Sequence, residues 1–139
     1  MTRDDYDRYL EAFNARDYDA VLDHFADEFE LVFAGYVFRT KDEVRRFYAF
    51  LHAHIAESVR VREFVSDGNM VALEADVRLE GIDEVTPEML AEQGLERIQT
   101  LARGQVVTLP QFIHYHLVDG KIVRALCAVF EPPVAQAPA

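Results

Sequence analysis

Residues 105–131, QVVTLPQFIHYHLVDGKIVRALCAVFE, read as two long strands joined by a tight turn at Asp119-Gly120-Lys121. Alternate side chains of a strand share a face. Gln111, Ile113, Tyr115 and Leu117 therefore point one way, and Phe112, His114 and His116 the other. On the second strand Ala125, Cys127 and Val129 form the matching apolar set. Upstream, MVALEADVRLEG (70–81) alternates as cleanly, with Val71, Leu73, Ala75 and Val77 against Glu74, Asp76 and Arg78. SVRVREFV precedes it across the turn SDGN. The second half of the chain is thus an antiparallel meander. Pro110 within a strand predicts an edge position or a bulge.

The first half is helical. Tyr6, Tyr9, Leu10 and Phe13 recur at helical spacing over residues 4–15. Asp17 or Asp19 can cap a second helix, YDAVLDHFA, with Val21, Leu22 and Phe25 on its apolar stripe. EFELVF then switches to period two, with Phe29, Leu31 and Phe33 on one face. TKDEVRRFYAFLHAHI opens on a capping-box pattern, Thr40 and Glu43, and buries Val44, Phe47, Tyr48, Leu51 and Ile55. Thr86-Pro87 and Gly104 bound a predicted inserted helix at about 86–103. So long an insertion between strands suits a pocket lid, an oligomer contact or a packed decoration. The expected fold is α+β, a curved antiparallel sheet wrapped around helices as a cone. Residues 1–131 form one domain in this reading, and 132–139, Pro- and Ala-rich, a flexible tail.

Composition narrows the function. A chain of 139 residues with 50% hydrophobic residues suits one domain with one core. A net charge of −11 argues against nucleic acid and against anionic membranes. No apolar run approaches a membrane span, and the charged start lacks a signal core, so a cytoplasmic protein is expected. One cysteine, Cys127, excludes an internal disulfide.

YLEAFNARDYDAVLDHFADEFELVF, TKDEVRRFYAFL and DGKIVRALCAVFE make residues 5–131 resemble the cone-shaped nuclear transport factor 2-like superfamily, which includes SnoaL-like cyclases, ketosteroid isomerases and limonene-epoxide hydrolases. The resemblance implies a pocket between sheet and helices, and a convex sheet face that often forms a dimer interface. Against the isomerase pattern, Tyr9 and Tyr48 match the tyrosines of the first and third helices. Phe25 stands where a second-helix tyrosine is usual, Phe33 where the base belongs and Ile113 where a neutral acid belongs. The acid–arginine–acid set of the epoxide hydrolases falls on Ala75, Val77 and Cys127. No carboxylate is expected in the pocket.

The expected site follows. Phe13, Phe25, Phe33, Leu73, Val77, Gln111, Ile113, Cys127 and Val129 line an apolar cavity, with Leu31 beside them. Tyr9 and Tyr48 donate hydrogen bonds to an oxyanion, and His52 or Tyr115 moves the proton. Tyr18, Tyr36 and Arg39 lie in loops at the mouth. The predicted function is cofactor-independent acid–base catalysis (isomerase, cyclase, dehydratase or lyase) on a small hydrophobic or aromatic substrate. Two alternatives stand beside it: a non-catalytic binder of an apolar ligand, and a metal site in which His114 and His116 face Glu74 and Asp76 across strands. Phe112, Leu126 and Phe130 on the outer face predict a homodimer.

Overall fold

The computed structural model describes residues 1–136. Four helices and seven strands follow in the order α1 (Arg3–Asn14), α2 (Tyr18–Leu22), β1 (Phe25–Phe33), β2 (Tyr36–Phe38), α3 (Lys41–His54), β3 (Ile55–Ser66), β4 (Met70–Gly81), α4 (Pro87–Glu92), β5 (Val106–Val118), β6 (Lys121–Val129) and β7 (Val134–Gln136). The strands form one curved, unclosed sheet in the order β2-β1-β6-β5-β4-β3, with β7 paired to β5. The predicted α+β architecture is present, with one qualification. β1 runs parallel to β6, so the sheet is mixed rather than wholly antiparallel.

Caps set the helix ends. Thr2 and Asp5 form a full capping box on α1. On α3 the Thr40 side chain accepts from the Glu43 N–H, while the Glu43 carboxylate accepts from the Arg39 N–H at 2.8 Å, one residue before the cap. α3 runs into β3 without a loop, because Ile55 is already extended (φ −132°, ψ 128°). The His54 carbonyl, orphaned at that helix end, accepts from the Ile82 and Asp83 N–H groups.

Four sequence expectations are corrected. α2 is capped by Asp17 and stops at Leu22, so Phe25 opens β1 instead of closing a helix. The inserted helix covers only 87–92. Gly94 takes φ 70°, its N–H reaches the Ala91 carbonyl, and the Leu95 N–H reaches that of Leu90. That geometry ends a helix, and Leu90 and Leu95 are both buried beside it. Pro110 lies in an unbroken register inside the sheet, opposite Asp76. Its missing N–H falls where β6 ends and β7 begins, and its carbonyl accepts from the Phe130 N–H at 3.0 Å. Residues 134–136 pair with Val106–Thr108 and are not a loose tail, and 137–139 lie outside the described residues.

Two apolar clusters fill the cone. The larger holds Tyr6, Tyr9, Phe13, Val71, Leu73, Ala75, Ile113 and Ala125 among others. The second ties Phe47, Leu51 and Ile55 to Val85, Leu90, Leu95 and Leu101 of the insertion. Burying each such Leu contributes roughly 1.5–3 kcal/mol, which anchors a segment that has little secondary structure. The segment closes on itself at Gly81, whose N–H donates to the Gln105 carbonyl and whose carbonyl accepts from the Gly104 N–H. A β-carbon on Gly81 would lie 2.2 Å from the Ala102 carbonyl oxygen. Gly81→Ala is therefore expected to destabilise the fold by about 1–3 kcal/mol. Thermal unfolding, with faster amide exchange confined to 82–105, checks it, and an unchanged melting temperature would show that the insertion yields freely.

The outer face of β4 carries Asp76, buried and bonded to Arg60 at 2.6 Å and to Arg62. Arg62 first, then Arg60, holds its pKa below the ordinary 3.8 against the effect of burial. A depressed carboxylate pKa contributes stability above the unfolded value, lost as pH falls through the folded one. Asp76→Asn is thus expected to lower the melting temperature at pH 7, and the gap from the parent should close as pH drops below 3.8. A gap independent of pH would refute the ion-pair origin.

Candidate functional site

The two sheet faces differ as the alternation predicts. Ile113, Tyr115, Val71, Ala75, Val77 and Ala125 are buried beneath the helices. Beneath them lies a cavity of about 550 Å³, within the range of small-molecule sites. α1 contributes Tyr6, Tyr9 and Phe13, and α3 contributes Phe47, Tyr48 and Leu51. Leu31, Phe33, Val77, Gln111, Ile113, Tyr115, Cys127 and Val129 come from the sheet, and Arg97, Ile98, Gln99 and Leu101 from the insertion.

Ten of the expected site residues line this cavity: Tyr9, Phe13, Phe33, Tyr48, Val77, Gln111, Ile113, Tyr115, Cys127 and Val129. Three do not. Phe25 and Leu73 pack within the main core, and His52 stands behind the wall. The expectation of a cavity without a carboxylate is overturned, because Glu57 lines it. Glu57 lies two residues before Val59 on β3 and shares its inward phase. Reading the strand from Ser58 missed it. Carrying the alternation of Val61 and Val59 back two residues would have found it.

Glu57 is held from behind. Its Oε1 lies 2.8 Å from His52 Nε2, and His52 Nδ1 lies 2.8 Å from the Tyr18 hydroxyl. Both partners are nearly enclosed, with side chains 4% (His52) and 12% (Glu57) exposed. The Tyr18 hydroxyl also lies 3.3 Å from the Tyr48 carbonyl oxygen. The Tyr18 hydroxyl thus bridges His52 Nδ1 and the Tyr48 carbonyl, and the two ring contacts together fix where the imidazole stands behind Glu57. Tyr18 is thus the first residue of α2 rather than a loop residue at the mouth, and Tyr36 belongs to β2. Arg39, in the link to α3, pairs with Glu30 at 3.3 Å.

Four phenols converge on the cavity. Tyr6 and Tyr9 stack with ring centroids 5.5 Å apart, and Tyr115 lies 5.7 and 5.8 Å from them. Tyr48 meets the edge of Phe13 and stacks on His52 at 5.2 Å. Burial raises the pKa of all four above the ordinary 10. Hydrogen bonding to Tyr115 partly offsets this in Tyr6 and Tyr9, and the Glu57 charge adds to the rise in Tyr48. All four remain protonated donors at neutral pH. Burial also pushes the Cys127 thiol up to about 12, so it is a neutral lining group and no thiolate.

The proposed metal cluster does not assemble. Across β4, His114 faces Ala72 and His116 faces Met70, while Glu74 faces Phe112 and Asp76 faces Pro110. His114 is offset by two residues from Glu74 and by four from Asp76, His116 lies further still from both, and Asp76 is occupied by two guanidinium groups. Among the described residues no three His, Cys, Asp or Glu side chains converge as metal ligands. Phe112 is 43% exposed on this outer face and stacks on Phe130 at 4.2 Å. Among the described residues no helix is long and apolar enough to cross a membrane.

The SnoaL-like domain family profile matches residues 6–125 of the chain. A putative polyketide cyclase from Silicibacter sp. TM1040 is similar at 25% identity, with 90% of this chain and 85% of that one covered and a TM-score of 0.69. An LEH-like epoxide hydrolase of M. tuberculosis superposes at 16% identity over 90% and 80%, TM-score 0.63. TerC, co-crystallised with polyporic acid, does so at 18% identity over 88% and 85%, TM-score 0.65. No curated protein sequence matches.

Proposed function

The chain belongs to the SnoaL-like domain family, and we propose that it is a cofactor-independent acid–base enzyme acting on a small apolar or aromatic substrate that bears a carbonyl. One observation carries the reading: among the described residues a single carboxylate, Glu57, lines an otherwise largely apolar cavity that also holds four protonated phenols. Glu57 takes a proton from the carbon beside the carbonyl. The C–H electron pair becomes the new C=C bond, and the carbonyl π pair moves to oxygen. Tyr9 or Tyr48 donates a hydrogen bond to that oxyanion, a contact that strengthens as charge develops. Glu57, now a carboxylic acid, returns the proton to the same carbon, which gives proton exchange, or to a conjugated one, which gives isomerisation. Attack of the enolate carbon on a second carbonyl within the substrate forms the C–C bond, the π pair of that carbonyl moves to its oxygen, and Glu57 gives its proton to the resulting alkoxide, which gives cyclisation.

His52 is a positioning residue in this scheme, not the base itself. By holding Oε1 it leaves Oε2 for substrate, and Tyr18 holds the far side of the imidazole ring. The putative polyketide cyclase among the similar structures supports the reaction class. A second reading, a passive binder of an apolar ligand, is favoured by the apolar lining. One experiment separates them: NMR of 2-tetralone in D₂O with the protein present. Catalysed loss of the α-proton signals is expected, and binding without exchange would favour the passive reading. Self-association through the outer face around Phe112 and Phe130 belongs to the same proposal, and sedimentation would test it.

A further inference from the structure

Among the described residues the cavity wall carries one acidic side chain, Glu57, and one basic side chain, Arg97. The chain holds 25 Asp and Glu against 14 Lys and Arg, so an arginine ordinarily finds an acid nearby. Arg39 and Arg124 share Glu30, and Arg60 and Arg62 share Asp76. Arg16, Arg46, Arg97 and Arg103 have no carboxylate within salt-bridge distance among the described residues, and of these four Arg97 alone lines the cavity. Its guanidinium sits over the Tyr36 ring, 5.6 Å from the centroid, and donates from Nη1 to the Gly35 carbonyl at 3.1 Å. Arg97 is also exposed, so it stands where the cavity meets solvent.

We propose that Arg97 is a specificity-determining residue, binding an anionic group, a carboxylate or its like, at the outer end of an otherwise apolar or aromatic substrate. A guanidinium has five N–H donors in a planar fork suited to two oxygens, and one contact to Gly35 leaves the others free. The Gly35 and Tyr36 contacts limit the rotamer freedom that binding would otherwise remove. The substrate class is then an amphiphilic acid, with its apolar body in the cone and its anionic end at the rim. The inference rests on reading the cavity as a small-molecule site and does not require Glu57 to be the base.

A purely mechanical role for Arg97 is the rival, since its backbone N–H donates to the Tyr36 hydroxyl at 2.8 Å and ties the insertion to the β1–β2 turn. The two roles separate by substitution. Arg97→Gln removes the charge and keeps the backbone N–H, whereas Tyr36→Phe removes that acceptor and keeps the charge. The probes are 8-anilinonaphthalene-1-sulfonate and its neutral counterpart N-phenyl-1-naphthylamine, titrated by fluorescence and competed against each other. The full chain is expected to prefer the sulfonate by about tenfold, the scale of a charge-assisted hydrogen-bonding pair. Arg97→Gln should erase the preference with neutral-probe affinity within about twofold, Arg97→Lys should retain part of it, and Tyr36→Phe should retain it. No preference in the parent chain, failure of the probes to compete, equal weakening of both by Arg97→Gln, or loss of the preference in Tyr36→Phe would overturn the assignment. Glu57→Gln should leave the preference intact, so a wrong base assignment and a wrong specificity assignment give different results.

Discussion

Glu57→Gln is expected to slow protein-catalysed α-proton exchange of 2-tetralone by about 10²–10⁴-fold, the usual contribution of a positioned general base. The substitution preserves shape, and the side-chain amide can still hydrogen-bond to His52 Nε2. What disappears is the proton affinity of the second carboxylate oxygen. Probe binding and the melting temperature should change little, so the loss belongs to the chemical step. Its signature is a fall in kcat with KM nearly constant. Exchange at the parent rate in a folded Glu57→Gln variant would remove Glu57 from the chemistry, because the cavity offers no other carboxylate among the described residues.

Tyr9→Phe and Tyr48→Phe are expected to cost about 10²–10³-fold for whichever hydroxyl meets the oxyanion, the range for one lost donor. Burial makes both phenols reluctant acids, so each is a proton-bearing donor across the neutral range. Phenylalanine keeps the ring contacts to Tyr6 and Tyr115 around Tyr9, and to Phe13 and His52 around Tyr48. The effect therefore reports the hydroxyl and not the packing. Stopped exchange with unchanged neutral-probe affinity supports the donor role. If both variants and their double exchange protons at the parent rate, the phenols serve packing alone.

The elements differ in how visible they are beforehand. The Val44, Phe47 and Leu51 stripe of α3 and the inward phase of Val71, Ala75, Ile113 and Tyr115 are plain in the residue order, and all are buried. Thr86-Pro87 and Gly104 look like the two ends of one helix, while Gly94 takes φ 70° and the helix spans only the 6 residues Pro87–Glu92. Glu57 is hard to see beforehand because a charged residue at a strand start resembles a loop, yet the apolar phase of Val59 extends back to it. The spacing of His52 from Tyr48 shows a shared helix face and not what stands beyond that face, where Glu57 lies 2.8 Å from the ring.

The residue order alone determined the helix faces, the apolar alternation of the strands and the turn at Asp119-Gly120, whereas the side taken by His114 and His116 waited on the unbroken register through Pro110. The first three rest on 3.6- or two-residue periodicity and on steric limits that act between near neighbours. Folding in three dimensions decided the parallel pairing of β1 with β6, the meeting of Tyr18, His52 and Glu57, and the seating of Arg97 against Gly35, 62 residues away. Contacts between distant segments arise from how the sheet curves and where the insertion closes at Gly81, and no local pattern encodes those.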